Sequence, residues 1–137
     1  MSESDSDLSE ARVRKAEELR ARAESDEGSA PNHGDPVHVD GPDEFQSLLD
    51  EGGVVLVDFY ADWCGPCKML EPIVADLAAE TDATVAKVDV DQQRQLAAQY
   101  QVQGVPTMYL FADGEPVERV VGVRQKPELA SLIEQYA

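Results

Sequence analysis

Val54 to Tyr60, reading Val-Val-Leu-Val-Asp-Phe-Tyr, is an almost unbroken run of β-branched, aliphatic and aromatic residues. An apolar stretch that does not alternate with polar residues is the pattern of a strand buried on both faces. Such a strand needs a sheet with helices above and below it, and the flanking sequence supplies them. Val37 to Val39 reads as a short strand. A helix then enters through Gly41-Pro42-Asp43-Glu44 and carries Phe45, Leu48 and Leu49 at helical spacing, until Gly52-Gly53 breaks the chain. Beyond the central run, a helix from Gly65 to Glu80 presents Met69, Leu70, Ile73, Val74 and Leu77 on its inner side, with Pro72 expected to bend it. Thr84 to Val90 is a further strand, Gln92 to Tyr100 a helix, and Thr107 to Phe111 a strand. The Asp113-Gly114 pair signals a tight turn into Pro116 to Val121, forming a hairpin. Lys126-Pro127-Glu128 opens a last helix bearing Leu129, Leu132, Ile133 and Tyr136. The order β-α-β-α-β-α-β-β-α combines crossover units with one hairpin. It predicts an α/β fold: a mixed five-stranded sheet with helices on both faces.

The first 36 residues differ from the rest. They hold ten acids and five bases, with Leu8, Val13 and Leu19 as the only sizeable apolar side chains after Met1, too few to build a core. Leu8 to Glu24 reads as a charged helix supported by the Glu10–Arg14 and Glu18–Arg22 pairs. Gly28 to Pro36 reads as a linker from its Gly, Pro and Asn content. The expected division is therefore an acidic N-terminal extension over 1–36 and a folded domain over 37–137.

The opening residues, Met1-Ser2-Glu3-Ser4-Asp5, lack a basic and then apolar leader, and no stretch has transmembrane length. A cytoplasmic location is the expectation, and there a lone cysteine pair is more often catalytic or metal-binding than structural. A net charge of -17, from 28 acidic and 11 basic residues, repels phosphate, so nucleic acid and anionic membranes are excluded as electrostatic partners. With only four lysines, the acidic composition resembles that of proteins from salt-loving microbes. The alternative is a mesophilic protein that happens to be acidic.

Directly after the central strand stands Trp63-Cys64-Gly65-Pro66-Cys67-Lys68, which contains both cysteines of the chain. A Cys-x-x-Cys pair between a strand and a helix places the first sulfur where unsatisfied N–H groups and the positive end of the helix dipole stabilise a thiolate. Pro66 suits a first helical turn, where its missing N–H costs nothing. Cys67 falls one turn further, facing the same sulfur in a less solvated position. Cys64 is thereby assigned as the attacking thiolate and Cys67 as the resolving thiol. Three other readings stand beside this one. A zinc site would need two further ligands, and only His33 and His38 are candidates. An inert disulfide closing so short a loop would constrain the unfolded chain little. The fold could also serve as a binding scaffold alone.

From about Val37 to Ala137 the sequence resembles the thioredoxin family. The resemblance rests on Val57-Asp58-Phe59, the Trp63 to Lys68 motif, Pro72, Ala86-Lys87-Val88, Gly104-Val105-Pro106-Thr107, Asp113-Gly114 and Val121-Gly122, all in order. It implies the thioredoxin fold and further roles. Pro106 matches a cis-proline that packs beside the cysteine pair and helps to hold an incoming substrate chain. Asp58 matches a buried carboxylate beneath the active site, and Lys87 its neighbour on the adjacent strand. Trp63, Gly65, Pro66, Val105 and Gly122 map onto an apolar patch that meets the substrate. An Asp within an apolar strand is costly without a partner or a proton, so a raised pKa is expected for Asp58. Asp62, beside Trp63, adds a negative charge next to the site.

The resemblance further implies a general protein disulfide reductase. The expected partners are disulfide-containing target proteins and a separate flavoprotein, thioredoxin reductase, that restores the dithiol. No prosthetic group or metal is implied in the chain, and a monomer is expected. An oxidase or isomerase is the alternative within redox chemistry, and Gly65-Pro66 between the cysteines favours the reductase.

Overall fold

The computed structural model describes residues 34–137. The charged helix expected over 8–24 and the start of the linker lie outside the described residues. The elements are β1 (Val37–His38), α1 (Pro42–Asp50), β2 (Val54–Tyr60), α2 (Gly65–Glu80), β3 (Thr84–Asp89), α3 (Arg94–Gln99), β4 (Thr107–Ala112), β5 (Glu115–Val121) and α4 (Lys126–Tyr136). The strands form one five-stranded sheet in the order β1-β3-β2-β4-β5. β3 lies parallel to β1 and to β2, while β4 runs antiparallel to both β2 and β5. The mixed sheet expected from the element order is the one observed.

The central strand is covered on both faces, and its alternation sorts the core into two layers. Val54 and Leu56 join Leu70, Val74 and Leu77 of α2 and Leu129 and Ile133 of α4. Val55, Val57 and Phe59 point the other way, to Phe45 and Leu49 of α1 and Leu96 of α3. Aromatic rings fill much of this second layer, with Phe45, Tyr100 and Phe111 in edge contact at 5.6 to 5.9 Å between centroids. Since strand side chains alternate, Asp58 shares the α2 face with Leu56, and Lys87 shares it with Val85.

Local chemistry explains the element ends. Asp113 and Gly114 both adopt positive φ, 52° and 88°, the conformation that a two-residue hairpin turn between right-twisted strands requires. The helix expected from Gln92 begins later, at Arg94. The Asp89 carboxylate accepts the backbone N–H groups of Asp91 and Gln92, and this turn takes the residues ahead of the helix. α2 spans Gly65 to Glu80 as expected and continues through Pro72.

Candidate active site

The cysteine pair sits where β2 passes into α2. Cys64 caps the helix with extended backbone (φ -91°, ψ 113°), and its sulfur accepts the backbone N–H of Cys67 at 3.1 Å. That donor is one of those a helix end leaves unpaired, so the helix terminus places a hydrogen bond on the first sulfur. The two sulfurs are joined as a disulfide, with Cα atoms 5.2 Å apart. In this oxidised form both cysteines are buried, Cys64 3% and Cys67 2% exposed. The greater solvation expected for Cys64 is therefore absent from the disulfide, which packs both sulfurs against Ala61, Tyr60, Val90 and Val105. What distinguishes the two is their place on the helix and the hydrogen bond to Cys64.

The loop before β4 closes the other side. The Val105–Pro106 peptide is cis, as the resemblance implies, and the Val105 carbonyl lies 3.7 Å from the Cys64 sulfur. The Pro106 carbonyl accepts the N–H of Gly122, whose φ of 93° suits a residue without a side chain. Thr107 ties the loop to itself by donating from Oγ1 to the Gly104 carbonyl at 2.7 Å. Gly65 and Pro66 are exposed on the first turn of α2. Trp63 is 71% exposed, and its indole N–H donates to the Asp91 carboxylate at 2.9 Å. Trp63 and Val105 line a small cleft with Val90, Val102, Gln103 and Gly104. The structure thus brings Trp63, Cys64, Cys67, Val105, Pro106 and Gly122 together at one end of the β2–α2 junction.

Asp58 and Lys87 form a second group. They are register partners on β2 and β3, 1% and 7% exposed. Among the described residues, neither carboxylate oxygen of Asp58 has a hydrogen-bond partner. Burial raises the Asp58 pKa from 3.8 to about 6, opposed by the positive charge of Lys87 and helped by the negative charge of Glu71. Desolvation therefore outweighs the neighbouring cation, as the sequence led us to expect. The Lys87 ammonium makes its ion pair with Glu71, at 3.8 Å, and lies 4.5 Å from the centroid of the Tyr60 ring.

Glu71, Asp91, Val90 and Val102 were not marked by sequence. Asp91 meets Trp63 across 28 residues of chain, and Glu71 reads as one more charge on a solvated helix face. No local pattern signals either contact.

Two sulfurs that can close into a ring at a helix end, and reopen, can pass two electrons to another disulfide. The fold and site therefore define a dithiol–disulfide oxidoreductase. The thioredoxin family model matches residues 36–135. Thioredoxin from Staphylococcus epidermidis is 48% identical over 95 residues, covering 68% of this chain and 90% of that protein. A solved mutant of thioredoxin from Halobacterium salinarum is 53% identical, with a TM-score of 0.75 over 79% of this chain and 96% of its own. Schistosoma mansoni thioredoxin gives a TM-score of 0.71 at 31% identity, over 77% of this chain and 99% of its own. The chain belongs to the thioredoxin family, carries its fold, and is a protein disulfide reductase.

Proposed function

We propose that Cys64 is the attacking thiolate and Cys67 the resolving thiol, with Asp58 taking the proton of Cys67. The reduced Cys64 thiolate attacks one sulfur of a target disulfide; the other target sulfur leaves as a thiolate and takes a proton from solvent. Cys67 then gives its proton to Asp58 and attacks Cys64, breaking the mixed disulfide and releasing the second target thiolate. The target gains two electrons and the enzyme ends with the Cys64–Cys67 bond. The observation that carries this order is the hydrogen bond from the Cys67 backbone N–H to the Cys64 sulfur. It favours negative charge on that sulfur, both as the attacker and as the group displaced when the ring reopens.

Pro106 and Val105 border the sulfur, and with Trp63, Gly65, Pro66 and Gly122 they form the surface against which a target chain would lie. With a pKa of about 6, Asp58 is about nine-tenths ionised at pH 7, and so able to accept a proton there. Lys87 sets the charge beside it. A flavoprotein thioredoxin reductase would return the pair to the dithiol, and the family relationship supports that partner and disulfide-containing protein targets. We place the working domain at 37–137, with 1–36 an extension outside it, and take the protein to act as a cytoplasmic monomer. No helix among the described residues is long and apolar enough to cross a membrane. The net charge of -17 and the likeness to the Halobacterium salinarum protein support adaptation to high salt.

Trapping tests the order of the cysteines. Cys67→Ser should accumulate target proteins as mixed disulfides that dithiothreitol releases, and Cys64→Ser should trap few. Equal yields from the two variants would reverse or remove the assignment.

A further inference from the structure

Glu71 stands one turn beyond Cys67 on α2, with a side chain 55% exposed. Its carboxylate reaches inward to the Lys87 ammonium, 3.8 Å away. Lys87 is the neighbour of Asp58 in the β2–β3 register and nearly as buried. A buried cation and a buried carboxylate on one sheet face are each costly alone, and pairing them relieves both costs. Here the pairing is not made. Both Asp58 oxygens lack a hydrogen-bond partner, while the ammonium sits between the Glu71 carboxylate and the Tyr60 ring. A half-solvated anion and an aromatic face are two attractions that Lys87 gains by turning from Asp58.

We propose that Glu71 is a positioning residue for the resolving step: with the Tyr60 ring it holds the Lys87 ammonium off the Asp58 carboxylate, leaving Asp58 free to accept a proton. The inference rests on the reading of Asp58 as the base for Cys67. An ammonium bonded to Asp58 would fix it as an anion and take up the lone pairs that a proton needs. Among the described residues, Lys87 and Glu71 are the charged groups that act on Asp58. Tyr60 is two residues along its own strand, β4 sets Met108 opposite it, and α4 brings Leu129 and Ile133 to the same face. Once the disulfide is reduced, the Cys67 thiol on α2 joins the titrating groups nearby. Glu71 acts in two ways: its charge opposes that of Asp58 directly, and its grip on Lys87 withholds the opposite charge.

A titration of Asp58 by carboxyl carbon NMR separates these. It would use the full chain in its disulfide form, at one salt concentration that keeps it folded. Glu71→Gln should move the Asp58 midpoint down by roughly half a pH unit. In a Lys87→Met background the same substitution should move it by less than half as much, because only the direct effect remains. Asp43→Asn, which removes an exposed acid from α1, should leave the midpoint in place. No shift with Glu71→Gln, or an equal shift in both backgrounds, overturns the proposal. The resolving phase with Ellman's reagent should carry the same displacement in its pH profile. A shifted titration with an unshifted resolving phase would leave the hold of Glu71 on Lys87 standing and remove Asp58 as the base.

Discussion

Cys64 and Asp58 occupy adjoining segments, and their surroundings act on them in opposite directions. Cys64 lies at a helix end, where the Cys67 N–H meets its sulfur. Asp58 lies inside a strand, 1% exposed, with both oxygens unpartnered. Donors at the helix end favour the anion of the thiol, while burial favours the neutral form of the carboxyl. A nucleophile must be charged to attack, and a base must have affinity for the proton it takes. On the proposed roles, one stretch of chain meets both needs, because β2 ends in the one environment and runs through the other.

The contrast makes its largest prediction for stability. Asp58 is raised in the folded chain, so the folded state binds more protons than the unfolded one between pH 3.8 and about 6. Stability then falls as pH rises through that window, by on the order of 3 kcal/mol for a shift of about two units. Below it the carboxyl is protonated in both states and the penalty is absent; above it the penalty is complete. Asp58→Asn removes the titration. Its stability relative to wild type, from urea melts, should grow from pH 4 to pH 7 and then level off. A difference that does not vary with pH would mean that burial leaves the Asp58 pKa where it stands in the unfolded chain, and the contrast with Cys64 would fail.

Salt sharpens the point. Screening should raise the stability of the whole acidic chain steeply, since exposed like charges repel less. The pH-dependent gain from Asp58→Asn should change little over the same range, because desolvation of a buried group is not screened. A flat profile for the wild type from low to molar salt would remove the halophilic reading. A gain that vanishes in salt would make Asp58 a surface-type charge. The smallest expected effect is that of deleting residues 1–36, which hold too few apolar side chains to form a core. Turnover and melting temperature should both stay at the full-length values; a drop of several degrees would show that the extension docks on the domain.

The contrast also divides what could be read from sequence from what could not. Val54 to Tyr60, the Asp113-Gly114 turn and the Cys64 to Cys67 spacing are local patterns with local physics, and β2, the hairpin and the helix cap follow from them. The isolated Asp58 signals its own raised pKa, because an acid in an apolar strand has few alternatives. Reading α3 from Gln92 failed by two residues because the Asp89 carboxylate captures backbone N–H groups there, a competition that helical spacing does not register. Asp91 on Trp63 and Glu71 on Lys87 join residues distant in sequence, and each partner taken alone looks like ordinary surface charge.

The division of labour is tested most directly by the two phases of thionitrobenzoate release when reduced protein meets Ellman's reagent, compared in wild type and Asp58→Asn across neutral pH. In the proposed order the first phase is attack by Cys64 and the second is resolution by Cys67. In Asp58→Asn the first phase should stay within about threefold of wild type and the second should slow roughly 100-fold, the scale of a lost general base. A second phase at the wild-type rate across neutral pH would contradict it: the proton of Cys67 would then pass to water, and Asp58 would be a structural residue.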